Sequence, residues 1–109
     1  MIHSGSATVA AAGTKVPLTA TKKPASWVTI IGDVGNAGTV YVGDSNVKNA
    51  AGGAKTYIGH PIVKPANATT QPGFINIREV GGPTPYDLSL IYVDADTNGD
   101  RVTFNYGVL

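Results

Sequence analysis

Apolar and polar residues alternate with a period of two along several short segments of the chain. The clearest alternation lies at residues 101–108 (RVTFNYGV), where Val and aromatic residues take every second position. Because successive side chains of a strand point to opposite faces, this pattern predicts a half-buried strand. Residues 88–93 are apolar on both faces and predict a central strand. β-Branched and aromatic runs predict three more strands, at residues 28–31, 40–42 and 75–80.

Turn-forming residues separate these strands, and helical periodicity is missing from the sequence. Gly or Pro interrupts every window that is long enough for a helix of ten or more residues. In residues 27–43 and again in residues 90–108, a Gly/Asn/Asp turn stands between two strand patterns, and Asn98-Gly99 is the strongest hairpin signal in the chain. We therefore predict a β-hairpin in each of the two segments.

The remaining segments are weaker strand candidates and long loops. Residues 8–12 and 15–19 are the weaker candidates, and Pro17 limits the second to a sheet edge or a bulge. Loops of this length in a small domain are typical of functional segments, or of segments that a partner orders. The predicted Gly/Pro-rich loops are residues 44–54 and 59–72, with a further break at residues 81–85.

The length of 109 residues and the number of short strands predict one all-β domain. Six to eight strands with irregularly spaced turns favour a single-domain β-sandwich or jelly roll. We predict a flexible N-terminal arm at residues 1–13, followed by the sandwich domain at residues 14–109.

Composition excludes several classes of function. The chain has no Cys, so a disulfide framework, a thiolate metal site and a Cys nucleophile are all excluded. Eight Lys and Arg residues against seven Asp and Glu residues give no basic footprint, which predicts that the chain does not bind nucleic acid. Because a lone small domain usually carries more charge than this, the low charge favours an oligomer or an assembled state.

The N-terminal residues lack the pattern of a secretory signal. They have neither a basic segment nor a sustained apolar segment, and no apolar run in the chain approaches the roughly 20 residues that span a bilayer. We therefore expect a protein that is made in the cytoplasm and does not interact with membranes.

Residues 94–100 (DADTNGD) resemble the opening of an EF-hand calcium loop. Oxygen ligands stand at its first, third and fifth positions and Gly99 at its sixth. The twelfth position should supply a bidentate Glu, but Asn105 stands there, and strand patterns replace the flanking helices. The favoured interpretation is a hairpin turn whose Asp and Asn side chains cap their own backbone, with weak calcium binding as the alternative. The ligands of such a calcium site would be Asp94, Asp96, Asn98 and Asp100.

Catalytic patterns are missing, and we predict neither an enzyme nor a cofactor. The two histidines are isolated in sequence, which disfavours a metal site. Carboxylates at strand ends are usually only solvated, the serines lack the G-x-S-x-G signature, and residues 52–55 (GGAK) lack phosphate-loop spacing. The residues considered for these roles are His3 and His60 for a metal, Glu79 and Asp87 for acid/base chemistry, and Ser26, Ser45 and Ser89 as nucleophiles.

Exposed aromatic residues would allow a carbohydrate-binding role. Most aromatic residues of the chain, Trp27 among them, fall on predicted strands, where packing is their commoner role. Tyr57 and Tyr86 lie near predicted loops, and they form the pair that we expect to be exposed.

Four motifs carry a resemblance to a known family. They are LTAT at residues 18–21, WVTI at residues 27–30, NAGTVYVG at residues 36–43 and LIYVDADTNGD at residues 90–100. In this order they resemble a family of small structural proteins of phages and prophages, similar to capsid decoration (cement) proteins. The resemblance begins near residue 18, leaves out a variable middle, and brings no catalytic residues.

The resemblance implies a protein on the capsid surface, made in the host cytoplasm. Its expected partner is the major capsid protein, and its expected oligomeric state is a homotrimer. The N-terminal arm would suit strand addition to a sheet edge of a partner. Two other roles stay open: a tail, neck or fibre-associated virion component, and a carbohydrate-binding module for host-surface glycans.

Overall fold

The computed structural model describes residues 2–50, 53, 55–64, 73–78 and 86–107. Within these residues the chain forms ten strands and a single turn of 3-10 helix, which confirms the all-β prediction. The strands are β1 (Ile2–Thr8), β2 (Val16–Pro17), β3 (Pro24–Ala25), β4 (Trp27–Gly32), β5 (Val40–Gly43), β6 (His60–Ile62), β7 (Phe74–Arg78), β8 (Tyr86–Asp87), β9 (Tyr92–Ala95) and β10 (Arg101–Gly107).

Eight of the strands form two antiparallel four-stranded sheets. The first sheet has the order β1-β10-β4-β7, the second has the order β2-β9-β5-β6, and β3 and β8 form a separate pair. The two sheets pack as a β-sandwich because each presents one apolar face to the other. The largest side chains that are fully buried between them are Val9, Val28, Ile30, Val40, Leu88, Val93 and Val102.

The strand pairs are nested in the sequence. The first strand pairs with the last (β1 with β10), the second with the ninth, the third with the eighth, the fourth with the seventh and the fifth with the sixth. The chain is thus one long antiparallel ribbon that folds over on itself. Two additional pairings, β10 with β4 and β5 with β9, join the folded parts of the ribbon into the two sheets.

Neither predicted hairpin exists. In residues 27–43, β4 lies in the first sheet and β5 in the second, and in residues 90–108, β9 and β10 are divided in the same way. Asn98-Gly99 does form a tight turn, and Gly99 has the positive φ of 86° that such turns require. The turn, however, belongs to a crossover between sheets, because both flanking strands find their partners far away in the sequence.

Several strand boundaries differ from the prediction. Leu88–Leu90 form the 3-10 turn, which Asp87 caps, so the strand predicted at residues 88–93 begins only at Tyr92. That strand is internal to its sheet, as predicted. β6 lies inside the predicted loop at residues 59–72, of which residues 65–72 lie outside the described residues, as does the predicted break at residues 81–85.

The strand pairing places most of the predicted N-terminal arm within the sandwich. Residues 2–8 form β1, which pairs with β10 over seven residues, from Ile2 opposite Gly107 to Thr8 opposite Arg101. Val9 follows with no exposed surface. A domain that starts at residue 14 would therefore lack an edge strand, while the flexibility of the segment stays a prediction. The described residues include no helix long and apolar enough to cross a membrane.

Candidate functional site

The end of β9 and its connection to β10 hold a cluster of acidic and amide side chains, which we call the Asp/Asn hub (Asp94, Asp96, Asn98 and Asp100). Asp94 is 2% exposed. Its Oδ1 accepts hydrogen bonds from the backbone N–H of Gly13 at 3.0 Å and of Ala95 at 2.8 Å, and its Oδ2 accepts from the N–H of Asn49 at 3.0 Å. Burial of this carboxylate is tolerated because N–H donors replace the lost water.

The other hub side chains bind further loops in the same way. Asp100 is 5% exposed and accepts from the N–H of Ala37 at 2.9 Å and of Gly38 at 2.8 Å. Asp96 accepts from the N–H of Ala50 at 2.9 Å and from the hydroxyl of Tyr41 at 2.9 Å. Asn98 completes the set, because its Oδ1 accepts from the N–H of Ala12 at 2.8 Å.

The hub therefore fastens three loops to one end of the sandwich. These are the β1–β2 loop at residues 12–13, the β4–β5 loop at residues 37–38 and the β5–β6 loop at residues 49–50. Three of the seven acidic residues of the chain are concentrated here. This concentration of acidic residues in a sequence with few charges is the feature from which a structural role of residues 94–100 could have been predicted.

The geometry of the hub does not favour a cation. All six carboxylate oxygens of its three aspartates already accept a hydrogen bond, and six of the seven donors are backbone N–H groups. Among the described residues, no group of three or more metal-ligand side chains is placed to hold a metal ion. Calcium binding by Asp94, Asp96, Asn98 and Asp100 stays a prediction that a titration checks.

Tyr41 is the one hub neighbour whose ionisation shifts strongly. Its side chain is buried, and its ring stacks on that of Tyr57 with centroids 5.1 Å apart. Burial raises the pKa of Tyr41 to about 12, and the hydrogen bond to the Asp96 carboxylate adds to the effect. The phenol thus stays protonated as the donor of that bond throughout the physiological pH range.

The other candidate residues are dispersed. His3 is exposed and stacks on Tyr106 with centroids 5.1 Å apart, while His60 is exposed at the start of β6. Asp87 accepts a hydrogen bond from the hydroxyl of Ser89 at 2.7 Å, which lowers the pKa of its carboxyl group, and this pair caps the 3-10 turn. Ser45 is exposed in the β5–β6 loop, and Ser26 lies between β3 and β4. Glu79, Gly52 and Ala54 lie outside the described residues.

The two tyrosines predicted as an exposed pair have different surroundings. Tyr57 is 39% exposed and contacts Tyr41. Tyr86 is only half exposed, because its hydroxyl donates to the backbone carbonyl of Arg78 at 3.0 Å. It lines an open apolar groove of about 290 Å³ together with Ile75, Ile77 and Leu90. The two rings therefore have separate contacts, and no ring contact joins them among the described residues.

The outer face of the first sheet carries three rows of side chains, each crossing all four strands. The middle row is polar, with Ser4 Oγ donating to Asn105 Oδ1 at 2.6 Å and Thr29 Oγ1 donating to Asn76 Oδ1 at 2.6 Å. Residues 2, 107, 27 and 78 form the row on one side, and residues 6, 103, 31 and 74 form the row on the other. Arg78 supplies the single charge of these three rows.

Trp27 lies flat on this face. A Cβ atom built on Gly107 would lie 2.6 Å from Nε1 of the indole and 2.8 Å from its Cε2, so the ring covers the glycine in direct contact. Next to the ring is an open groove of about 230 Å³ that is lined by Trp27, Val28, Thr29, Asn76 and Arg78. The sequence analysis assigned Trp27 to packing. It did not identify the contact with Gly107, because the position of Gly107 opposite Trp27 follows only from the pairing of β4 with β10.

The two sheets differ in the protection of their edges. Both edges of the second sheet are short and contain a proline, Pro17 in β2 and Pro61 in β6. The edges of the first sheet are β1 with seven residues and β7 with five, and neither contains a proline. Since Pro and short length block the addition of a further strand, the first sheet has the open edges.

Comparisons with models of protein families, with curated proteins and with solved structures gave no match to this chain. The function must therefore be inferred from the geometry of the chain itself and from its sequence motifs.

Proposed function

We propose that this chain is a non-enzymatic structural protein of a phage particle, a capsid decoration (cement) protein that binds the outer shell and stabilises it. It would act on the virion surface after synthesis in the host cytoplasm. Its partners would be the major capsid protein and further copies of itself, with a trimer as the favoured assembly.

The nested strand pairing is the observation that carries the proposal. A ribbon that folds over so that first and last strands pair, and that alternates between two four-stranded sheets, has the strand order expected of a jelly roll. Jelly rolls are a common architecture of viral capsid and lectin domains. Because one fold serves many functions, this supports the class of protein and leaves the contacts to be argued from the surface.

The surface offers two features that suit a repeating shell. Within the described residues, the outer edges of β1 and β7 have no neighbouring strand, and a neighbouring chain can add a strand to them. Beside β7, the apolar groove leaves Leu90 63% exposed. A shell presents many equivalent sites, so weak contacts of this kind add up through multivalent binding.

The hub also suits the role. A cement protein has to keep its shape under mechanical load without the aid of disulfides, and this chain contains no Cys. The hub ties three loops at one end of the sandwich through backbone N–H groups, which makes that end resistant to local opening.

The test is the copy number of the chain in purified phage particles, measured by quantitative mass spectrometry against the major capsid protein. A count comparable to that of the capsid protein is the expected result. A handful of copies per particle would instead support a tail, neck or fibre-associated role. Absence from the particle would overturn the assignment to the virion.

A further inference from the structure

We propose that the groove beside Trp27 on the outer face of the first sheet binds a sugar residue of a polysaccharide. This goes beyond the proposed structural role and does not depend on it, because the site belongs to the single chain. The carbohydrate-binding role considered from the sequence was assigned to Tyr57 and Tyr86, whereas the geometry points to a different part of the surface.

The indole of Trp27 provides a platform for a sugar ring. One of its faces rests on Gly107, and the side chain lines the groove of about 230 Å³. A hexose has a face of C–H groups, which stacks on the electron-rich face of an aromatic ring, and a rim of hydroxyl groups. Trp27 is half-buried rather than fully buried, so the ring remains accessible to a ligand from the solvent.

The polar side chains of the groove match the rim of hydroxyl groups. The hydrogen bond from Thr29 Oγ1 to Asn76 Oδ1 fixes the orientation of the Asn76 amide. The Nδ2 atom of Asn76 makes no hydrogen bond to any described residue. Asn76 can thus donate to a ligand, while Thr29 Oγ1 can still accept. Arg78 adds a guanidinium group whose side chain is exposed and forms no ion pair within the described residues.

The charge of the face argues for a sugar over other ligands. A single cationic side chain is too little for a nucleic-acid backbone. Among the described residues, the groove lining includes no carboxylate, which disfavours a cationic ligand. Polyhydroxyl ligands, either neutral or bearing a carboxylate that Arg78 can bind in a bidentate manner, fit this combination of aromatic ring, amide, hydroxyl and guanidinium.

The surface is long enough for an oligosaccharide. Phe74 is 49% exposed and lies opposite Ile31, four residues along β4 from Trp27, which is about 13 Å. The polar row of Thr29 and Asn76 runs between the two aromatic rings. All these residues project from strands whose pairing fixes their positions, so the site is preformed and needs no closure.

The test uses the purified full chain and a panel of neutral and carboxylate-bearing oligosaccharides. Trp27 is the only tryptophan of the chain, so its fluorescence reports directly on the groove. We expect at least one oligosaccharide to change the fluorescence with saturation in the micromolar to millimolar range. A panel without any saturable change overturns the proposal.

Two variants, each with a control, test whether the groove is the binding site. Asn76→Ala should weaken binding at least fivefold, whereas Asn105→Ala, which alters the same polar row outside the groove, should leave the affinity within twofold. Trp27→Ala should reduce binding at least tenfold in calorimetry, while Tyr57→Ala retains it. If Asn76→Ala and Trp27→Ala bind as tightly as the parent chain, with circular dichroism confirming that both are folded, the groove is not the site.

Arg78→Gln distinguishes the two classes of sugar. For a carboxylate-bearing oligosaccharide, the affinity should fall at least fivefold and the remaining affinity should lose its dependence on salt. For a neutral oligosaccharide, the loss should stay below about threefold. Sugar binding by the isolated chain is measured independently of the copy number in particles, so the failure of one proposal is distinguishable from the failure of the other.

Discussion

The carboxylate of Asp94 joins three segments of the chain that lie far apart in the sequence. It accepts N–H groups at residues 13 and 49 in addition to that of its neighbour, and it is almost completely buried. A side chain with several partners of this kind contributes mainly by keeping buried donors satisfied. Its loss costs more than the sum of weak surface bonds, because the orphaned N–H groups remain out of contact with water.

We predict that Asp94→Asn lowers the free energy of unfolding by about 2 kcal/mol or more. The amide retains one acceptor oxygen, but its NH₂ group then faces N–H donors, which repel it. Urea unfolding followed by circular dichroism measures the change. The matched control is Asp44→Asn, since the carboxylate of the exposed Asp44 accepts, among the described residues, only the N–H of Asn46, at 2.8 Å. Equal effects of the two substitutions would contradict a buried structural role for Asp94.

Tyr41 gives the fold a dependence on alkaline pH. The folded pKa of about 12 lies above the ordinary value of 10. Below pH 10 the phenol is protonated in both states and its full contribution to stability is present. As the pH rises from about 10 towards 12, the unfolded phenol ionises while the folded one does not, so that the unfolded state gains and stability falls.

We expect a loss of roughly 1 kcal/mol across this window, after allowance for solvent screening near the hydroxyl. Urea midpoints at several pH values between about 9 and 11.5 measure it. Tyr41→Phe should be less stable at neutral pH but show a shallower decline. A slope identical to that of the parent chain would show that another group causes the dependence, and Tyr57→Phe controls for the stacked neighbour.

At the scale of elements, the sequence predicted several strands well, because the residue pattern of a strand is visible within a few consecutive residues. β10 lies where the alternation predicted it, and β4 and β5 lie where β-branched and aromatic runs predicted them, since their inner side chains meet the core. Which strands pair with each other, in contrast, cannot be predicted from such short segments. The turn at Asn98-Gly99 bends the chain in either topology, and the contacts of Asp94 and Asp100 with loops 45 to 81 residues away decide that the chain crosses to the other sheet.

The same reasoning explains which features of the hub and of the Trp27 groove the sequence analysis did not predict. The acidic density at residues 94–100 was visible in the sequence, but its role depends on donors from three other loops. Trp27 was visible as an aromatic residue on a strand, but its flat placement depends on Gly107 in β10. In both cases, one side of the contact was recognisable from the local sequence. The other side is brought to it by the pairing of distant strands.

β1 provides a prediction at this scale. Removal of residues 1–13 should lower the free energy of unfolding by more than about 3 kcal/mol, because it removes the fully buried Val9 and two N–H donors to the hub. It also exposes the edge of β10. This differs from the expectation that an N-terminal arm is separable from the fold.

Thermal and urea unfolding of the truncated chain measure the change. Ile2→Ser is the matched control, since Ile2 is 70% exposed and its replacement should change stability by less than about 0.5 kcal/mol. A truncated chain with the stability of the parent would show that residues 1–13 act as a separable arm.

At the scale of the whole molecule, the nested ribbon leaves β1 as an open edge beside the last described strand. β1 and β10 are neighbours, and β1 forms the border of the first sheet. The second sheet has proline in both of its edges, so further strands can add only to the first. Strands of further copies would thus add to one layer of the sandwich. This is the geometry that a protein needs if its copies assemble side by side on a surface.

The open edges and the low charge predict self-association in solution. We expect the purified chain to elute at about three times the mass of one chain at micromolar concentration, as measured by light scattering after size-exclusion chromatography. Ser6→Lys introduces a charge in β1, whose side chain at this position is exposed, and should shift the population towards monomer by repelling an added strand. Ser45→Lys adds the same charge in the exposed β5–β6 loop, outside β1, and should leave an assembly through β1 unchanged. If both variants retain the mass of the parent, the assembly does not use β1, and β7 with the apolar groove beside it becomes the remaining open edge through which copies can join.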